Sequence, residues 1–177
     1  MDHIGSLAGI LQESPNKVEV LAQEEEKPYI EGERPSLKMT PERRAQFETQ
    51  LNSLPEEQRA ATKMLFGNLK AKVDQVVADG EELPVLGGVI VIHTPGHTLG
   101  HLCLYHKQSK TLITGDEMNL VDGRLSGPNP QYTFDMVTAA KSLQKLTRYD
   151  IEAVICYHGG LYTGNANQRI AELANQQ

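Results

Sequence analysis

Asp2 and His3 stand side by side at the start of the sequence, and His97, Asp116 and His158 each fall in a glycine-containing turn: TPGHT, TGDE and YHGG. Imidazole and carboxylate are the usual ligands of zinc and other borderline divalent cations, and a catalytic site made from them keeps one position for water. A lone histidine at a strand end is more often structural. Three such residues beside glycines, joined by an Asp-His pair, point to a metal centre instead. Gly96, Gly115 and Gly159 are expected to let backbone pass close to the ions without interference from a Cβ. His93 and His101 flank His97 in HTPGHTLGH and read as structural, or as hydrogen-bonded supports of a ligand. Tyr157, embedded in an apolar run, reads as a packing residue, Tyr162 as a donor to a substrate carbonyl, and Asn129 and Tyr132 in SGPNPQYT as part of a turn.

The elements that must carry these residues follow from periodicity. Ile4, Leu7, Ile10 and Leu11 have helical spacing, stopped at Ser14-Pro15, and KVEVLA alternates as a short strand. From Gln23 to about Leu69 the chain is charged and broken by prolines. Thr40-Pro41-Glu42 and Ser53-Leu54-Pro55-Glu56 each look like a helix start with a hydroxyl cap and an early proline, so two charged, solvated helices are predicted. From Lys72 onward VDQVVADGEEL, GGVIVIHT, HLCLYH and TLITGD read as short strands in antiparallel succession. Phe134 to Tyr149 is an amphipathic helix with Met136, Ala140, Leu143 and Leu146 on one face, EAVICYH is an apolar strand ending at His158, and residues 165–174 form a last helix. The pattern predicts an α+β class with helices packed on a mainly antiparallel sheet.

Composition narrows the partners. The chain has 177 residues, 39% hydrophobic and 23% charged, with a net charge of -6. That charge argues against nucleic acid and against a polybasic membrane contact, both of which need clustered Lys and Arg. No run of about 18 apolar residues occurs, and the start carries no basic segment followed by an apolar one. A cytoplasmic protein acting on a small molecule is expected. Cys103 and Cys156 lie in apolar runs and read as buried reduced thiols.

TPGHTLGH, LITGD and YHGG resemble the later motifs of the metallo-β-lactamase superfamily, and DHIGSL resembles the second half of its opening HxHxDH motif. Four motifs in the right order are specific where any one alone would be weak. The resemblance implies an αββα sandwich with two metal ions, zinc being expected, in a cleft between the sheets. Carried over residue by residue, Asp2, His3 and His158 match the second metal position, Asp116 the carboxylate bridging both ions and the centre of catalysis, and His97 one ligand of the first position. Such a pair of ions lowers the pKa of a shared water from about 16 towards about 7, and the hydroxide would attack an ester, lactone or thioester carbonyl. The upstream HxH positions and part of the N-terminal sheet would precede Asp2, where only Met1 stands. The chain is therefore expected to be a single partial domain, 1–177, a fragment cut within the motif, with a charged helical insertion at about 38–69. The alternative is a catalytically inert truncated remnant that binds at most one metal ion. An uncovered sheet would favour self-association.

Overall fold

The computed structural model describes residues 3–67 and 70–176, and the chain divides into two compact units: 1–22 with 27–76, and 23–26 with 77–177.

In the first unit, helix α1 (Leu7–Glu13) directs Leu7 and Leu11 against a small apolar cluster of Val20, Ala22 and Val73. The predicted strand KVEVLA shrinks to β1 (Leu21–Ala22), because Asp74 and Val20 exchange two hydrogen bonds there. The Val20 N–H donates to Asp74 Oδ2 at 3.1 Å, and the Asp74 N–H donates to the Val20 carbonyl at 2.9 Å. A single-turn helix, α2 (Lys27–Ile30), precedes α3 (Pro41–Ser53) and α4 (Glu56–Gly67). Thr40 caps α3 as expected: its hydroxyl accepts the Arg43 N–H, with Pro41 at the first helical position. Ser53 does not cap α4. Its hydroxyl donates to the Gln50 carbonyl at 2.7 Å and closes α3 instead. Helix α3 buries no residue, which is the solvated character its charge predicted. Strand β2 (Gln75–Val76) pairs in parallel with β1.

The second unit is a six-stranded sheet with two helices on one face. Strands β3 (Glu82–Leu83), β4 (Val89–His93), β5 (Leu102–His106) and β6 (Thr111–Ile113) form an antiparallel meander. The chain then makes a hairpin, β7 (Asn119–Val121) and β8 (Arg124–Ser126), and enters α5 (Met136–Leu146). Strand β9 (Ala153–Cys156) returns parallel to β6, β10 (Gly160–Tyr162) pairs antiparallel to β9, and α6 (Ala166–Asn175) ends the fold. The order across the sheet is β10-β9-β6-β5-β4-β3.

Strand alternation places Ile90, Tyr105, Leu112, Val154 and Tyr162 in one cross-strand row on the helix-covered face. Leu143 and Leu146 of α5 and Ile170 and Leu173 of α6 meet that row, together with Met118 and Leu125 from the hairpin region. Each such fully buried aliphatic side chain contributes roughly 1.5–3 kcal/mol. Asp135 caps α5, its carboxylate accepting the Thr138 N–H at 3.0 Å. This core holds the ends of β4, β6 and β9 level, and those ends carry the candidate site. No helix among the described residues is long and apolar enough to cross a membrane.

Candidate metal centre

Each of the three strand ends delivers one ligand-type side chain. After β4, Thr94-Pro95-Gly96-His97 turns sharply. Gly96 has φ +139°, and a Cβ there would run into the Ala139 backbone in the first turn of α5. The turn is fastened to that helix by three hydrogen bonds: Asp135 N–H to the Gly96 carbonyl (2.9 Å), Phe134 N–H to the His97 carbonyl (3.3 Å) and Ser142 hydroxyl to the Pro95 carbonyl (2.7 Å). His97 is thus set by a helix that lies some forty residues later in sequence.

Asp116 follows β6. The Thr114 N–H reaches the Ile155 carbonyl at 2.9 Å and the Tyr157 N–H reaches the Gly115 carbonyl at 3.3 Å, so the β6–β9 pairing continues into the Asp116 loop. His158 follows β9. Its carbonyl accepts the Leu120 N–H at 3.0 Å, and Gly159 at φ +108° leaves no room for a Cβ, which would collide with the Leu120 carbonyl. The hairpin β7–β8 therefore sets His158.

The three side chains converge. Asp116 Oδ2 lies 2.8 Å from His97 Nε2, and Asp116 Oδ1 lies 3.2 Å from His158 Nε2. One carboxylate presents one oxygen to each imidazole. His97 and Asp116 are each only 8% exposed, whereas the His158 side chain is 53% exposed, so the cluster is closed on one side and open on the other. Two imidazole nitrogens and a carboxylate are the donor set that zinc and similar cations take, and the split of the carboxylate between two histidines fits a bridging ligand. His3 lies in an exposed turn of the first unit, and Asp2 lies outside the described residues.

The neighbouring histidines behave as supports. His93 Nε2 is 3.0 Å from the Leu99 carbonyl, and His101 Nε2 accepts the Asp116 N–H at 3.0 Å. His106 bonds Ser109 and the Leu86 carbonyl, away from the cluster. Tyr157 is half exposed and does not pack in the core, contrary to its apolar sequence context, because alternation along β9 turns Cys156 inward and Tyr157 outward. Tyr162 packs instead against the helix-covered core. Asn129 forms the expected turn, accepting backbone bonds from Tyr132 and Thr133. Glu117 was not anticipated. Its side chain is wholly buried with neither oxygen hydrogen-bonded, and burial pushes its pKa up to about 9. Nothing in DEMN distinguishes it from a surface acid, since side-chain direction is set by the turn.

Comparison with known proteins identifies the family. Residues 1–158 match the family model described as the metallo-beta-lactamase superfamily. The chain is 29% identical over 187 aligned positions to a probable metallo-hydrolase, YflN, of Bacillus subtilis, covering 99% of this chain and 67% of that protein. It is 36% identical over 90 residues to a hydroxyacylglutathione hydrolase of Pseudomonas savastanoi pv. phaseolicola, covering 48% of this chain and 32% of the other. Among solved structures, ST1585 from Sulfolobus tokodaii superposes with a TM-score of 0.63 at 24% identity, over 98% of this chain and 62% of its own. The chain thus spans from about a third to two thirds of the length of these relatives.

Proposed function

The chain belongs to the metallo-beta-lactamase superfamily and has its α+β fold, and from that premise we propose that it is a metal-dependent hydrolase of small-molecule ester, lactone or thioester substrates. Asp2, His3, His97, Asp116 and His158 are the proposed ligands of two divalent cations, zinc first. The single observation that carries this reading is the Asp116 carboxylate, with Oδ2 against His97 and Oδ1 against His158. Cations bound there supply Lewis acidity that activates a water and polarises a carbonyl.

The protein's own residues do the rest. Asp116 places a negative charge between two imidazoles and fixes their separation. Burial of His97 and Asp116 keeps bulk water off the inner side, and the exposure of His158 leaves the outer side as the approach for substrate. The relationship to hydroxyacylglutathione hydrolases supports testing a hydroxyacyl thioester first.

The test is metal content followed by turnover. The chain purified with zinc should retain about two ions and Asp116→Ala should retain none, with hydrolysis of a thioester and lactone panel lost in parallel. A folded wild-type chain that takes up no zinc, cobalt, manganese or iron would sink the proposal.

A further inference from the structure

We infer that His101 is a positioning residue that sets the distance between the His97 turn and the Asp116 loop, and that it does so as the neutral ring protonated on Nδ1. The metal-affinity part of this inference rests on the function proposed above. The geometric part does not.

Hydrogen-bond direction fixes the ring's state. The Asp116 N–H donates to His101 Nε2 at 3.0 Å, so that nitrogen must carry a lone pair, and in a neutral imidazole the proton then sits on Nδ1. Nδ1 lies 2.8 Å from Thr94 Oγ1 and donates to it. The buried Thr94 hydroxyl is 3.3 Å from Cys103 Sγ, and the Cys103 thiol donates to the Thr114 carbonyl at 3.4 Å. The Asp116 amide thus donates to His101 and His101 to Thr94, whose hydroxyl lies within reach of both the His101 carbonyl at 3.5 Å and Cys103 Sγ, so an unbroken chain of polar contacts joins the Asp116 amide to the Thr114 carbonyl. Burial pushes the Cys103 thiol well above its ordinary pKa, with the nearby Glu117 adding to the effect, which keeps it a donor.

This relay closes on the two ligand loops. Thr94 opens the turn that ends in His97, and Thr114 is two residues before Asp116. His101 also meets His97 directly, the rings edge-on with centroids 5.7 Å apart. Gly115 gives an independent sign. At φ +53° its missing Cβ would lie 2.6 Å from His101 Nε2, so the glycine makes the space in which the ring sits. Removing the ring would leave the Asp116 amide without its acceptor and the two loops without a spacer.

Two measurements test this on the full chain. The first uses ¹⁵N-histidine-labelled, metal-free protein: His101 should show the Nδ1–H tautomer by its long-range nitrogen–proton couplings, and an Nε2–H tautomer overturns the inference. The second measures Zn²⁺ affinity by competition with a chromophoric chelator. His101→Asn keeps a donor near Nδ1 but no acceptor in the place of Nε2, and should lose about 10- to 100-fold. His101→Gln restores an acceptor there and should recover most of the wild-type affinity. Gly115→Ala, with the ring present but displaced, should lose affinity as His101→Asn does. Equal affinity in wild type and His101→Asn, or equal loss in Asn and Gln variants of matched thermal stability, overturns it. If wild type binds no Zn²⁺, the proposed function fails, and the tautomer alone decides the role of His101.

Discussion

Gly159 shows how much a single residue can constrain this centre. At φ +108°, with the Leu120 carbonyl where a Cβ would go, it lets His158 turn out of β9 while its backbone stays bonded to β7. Gly159→Ala should cost about 1–3 kcal/mol from the backbone conformation alone, read as a lowered urea midpoint, and should weaken metal binding because His158 moves with Leu120. An unchanged midpoint would mean that the hairpin yields freely and does not set His158. At this scale the sequence singled out His97, Asp116 and His158 from their glycine turns at the ends of apolar runs, and the structure brings these three side chains together. The sequence was less informative about why the glycines are there. They were expected to let backbone pass close to the metal ions, and the structure adds a second reason. In the structure the atoms they make room for are Ala139 at Gly96, His101 at Gly115 and Leu120 at Gly159. Those partners are distant in sequence, or out of register with it, and periodicity carries no trace of them.

Between elements, Asp79 does comparable work for the end of β4. Its Oδ1 accepts the His93 N–H at 2.7 Å, and its Oδ2 lies 3.1 Å from Lys145 Nζ on α5, which also donates to the His93 carbonyl at 2.7 Å. Partial burial raises the Asp79 pKa, but the His93 amide and the Lys145 ammonium outweigh it, and the carboxyl ends below its ordinary value. A depressed folded-state pKa means that the stabilisation is complete above the ordinary carboxylate range and is lost as pH falls through the folded value. Asp79→Asn keeps an acceptor for His93 and removes the charge. It should therefore lose about 1 kcal/mol at pH 7, a small figure because the pair is half exposed and screened by solvent, and the two unfolding curves should converge as pH falls below the ordinary carboxylate range. Curves that stay parallel from pH 7 down through the carboxylate range would show that the charge contributes nothing. Strand β4 was legible from its apolar run, but VDQVVADGEEL, read as one strand, is broken around Asp79 into β2 and β3, two residues each and in different sheets. The β7–β8 hairpin was not legible, although Asp122-Gly123 is a turn signal, because strands of three residues give too few alternations to register. The parallel β6–β9 pair was also missed: it joins segments about forty residues apart, which local pattern cannot see.

Across the whole molecule, alternation of helix and strand with ordered metal motifs was enough to anticipate the α+β class and the superfamily. It was not enough to anticipate that residues 23–26 group with the second unit. There the Glu26 carboxylate accepts the Gly100 N–H at 3.0 Å, and a Cβ on Gly100 would strike Gln23 and Glu26. The remaining question at this scale is whether the first unit contributes a ligand, and linkage answers it. An ion that binds only the folded chain stabilises it by about 2.7 kcal/mol at one hundred times its Kd. For a chain of this size that is roughly 5–11 °C in Tm, reversed by a chelator. His3 is exposed, so His3→Ala should leave the metal-free Tm within about 1–2 °C, in keeping with the small cost of surface substitutions. If His3 is a ligand, the same variant should shrink the zinc-induced shift, and Asp116→Ala should abolish it. A full zinc shift in His3→Ala beside none in Asp116→Ala would assign the ion to His97, Asp116 and His158 of the second unit and remove His3 from the ligand set.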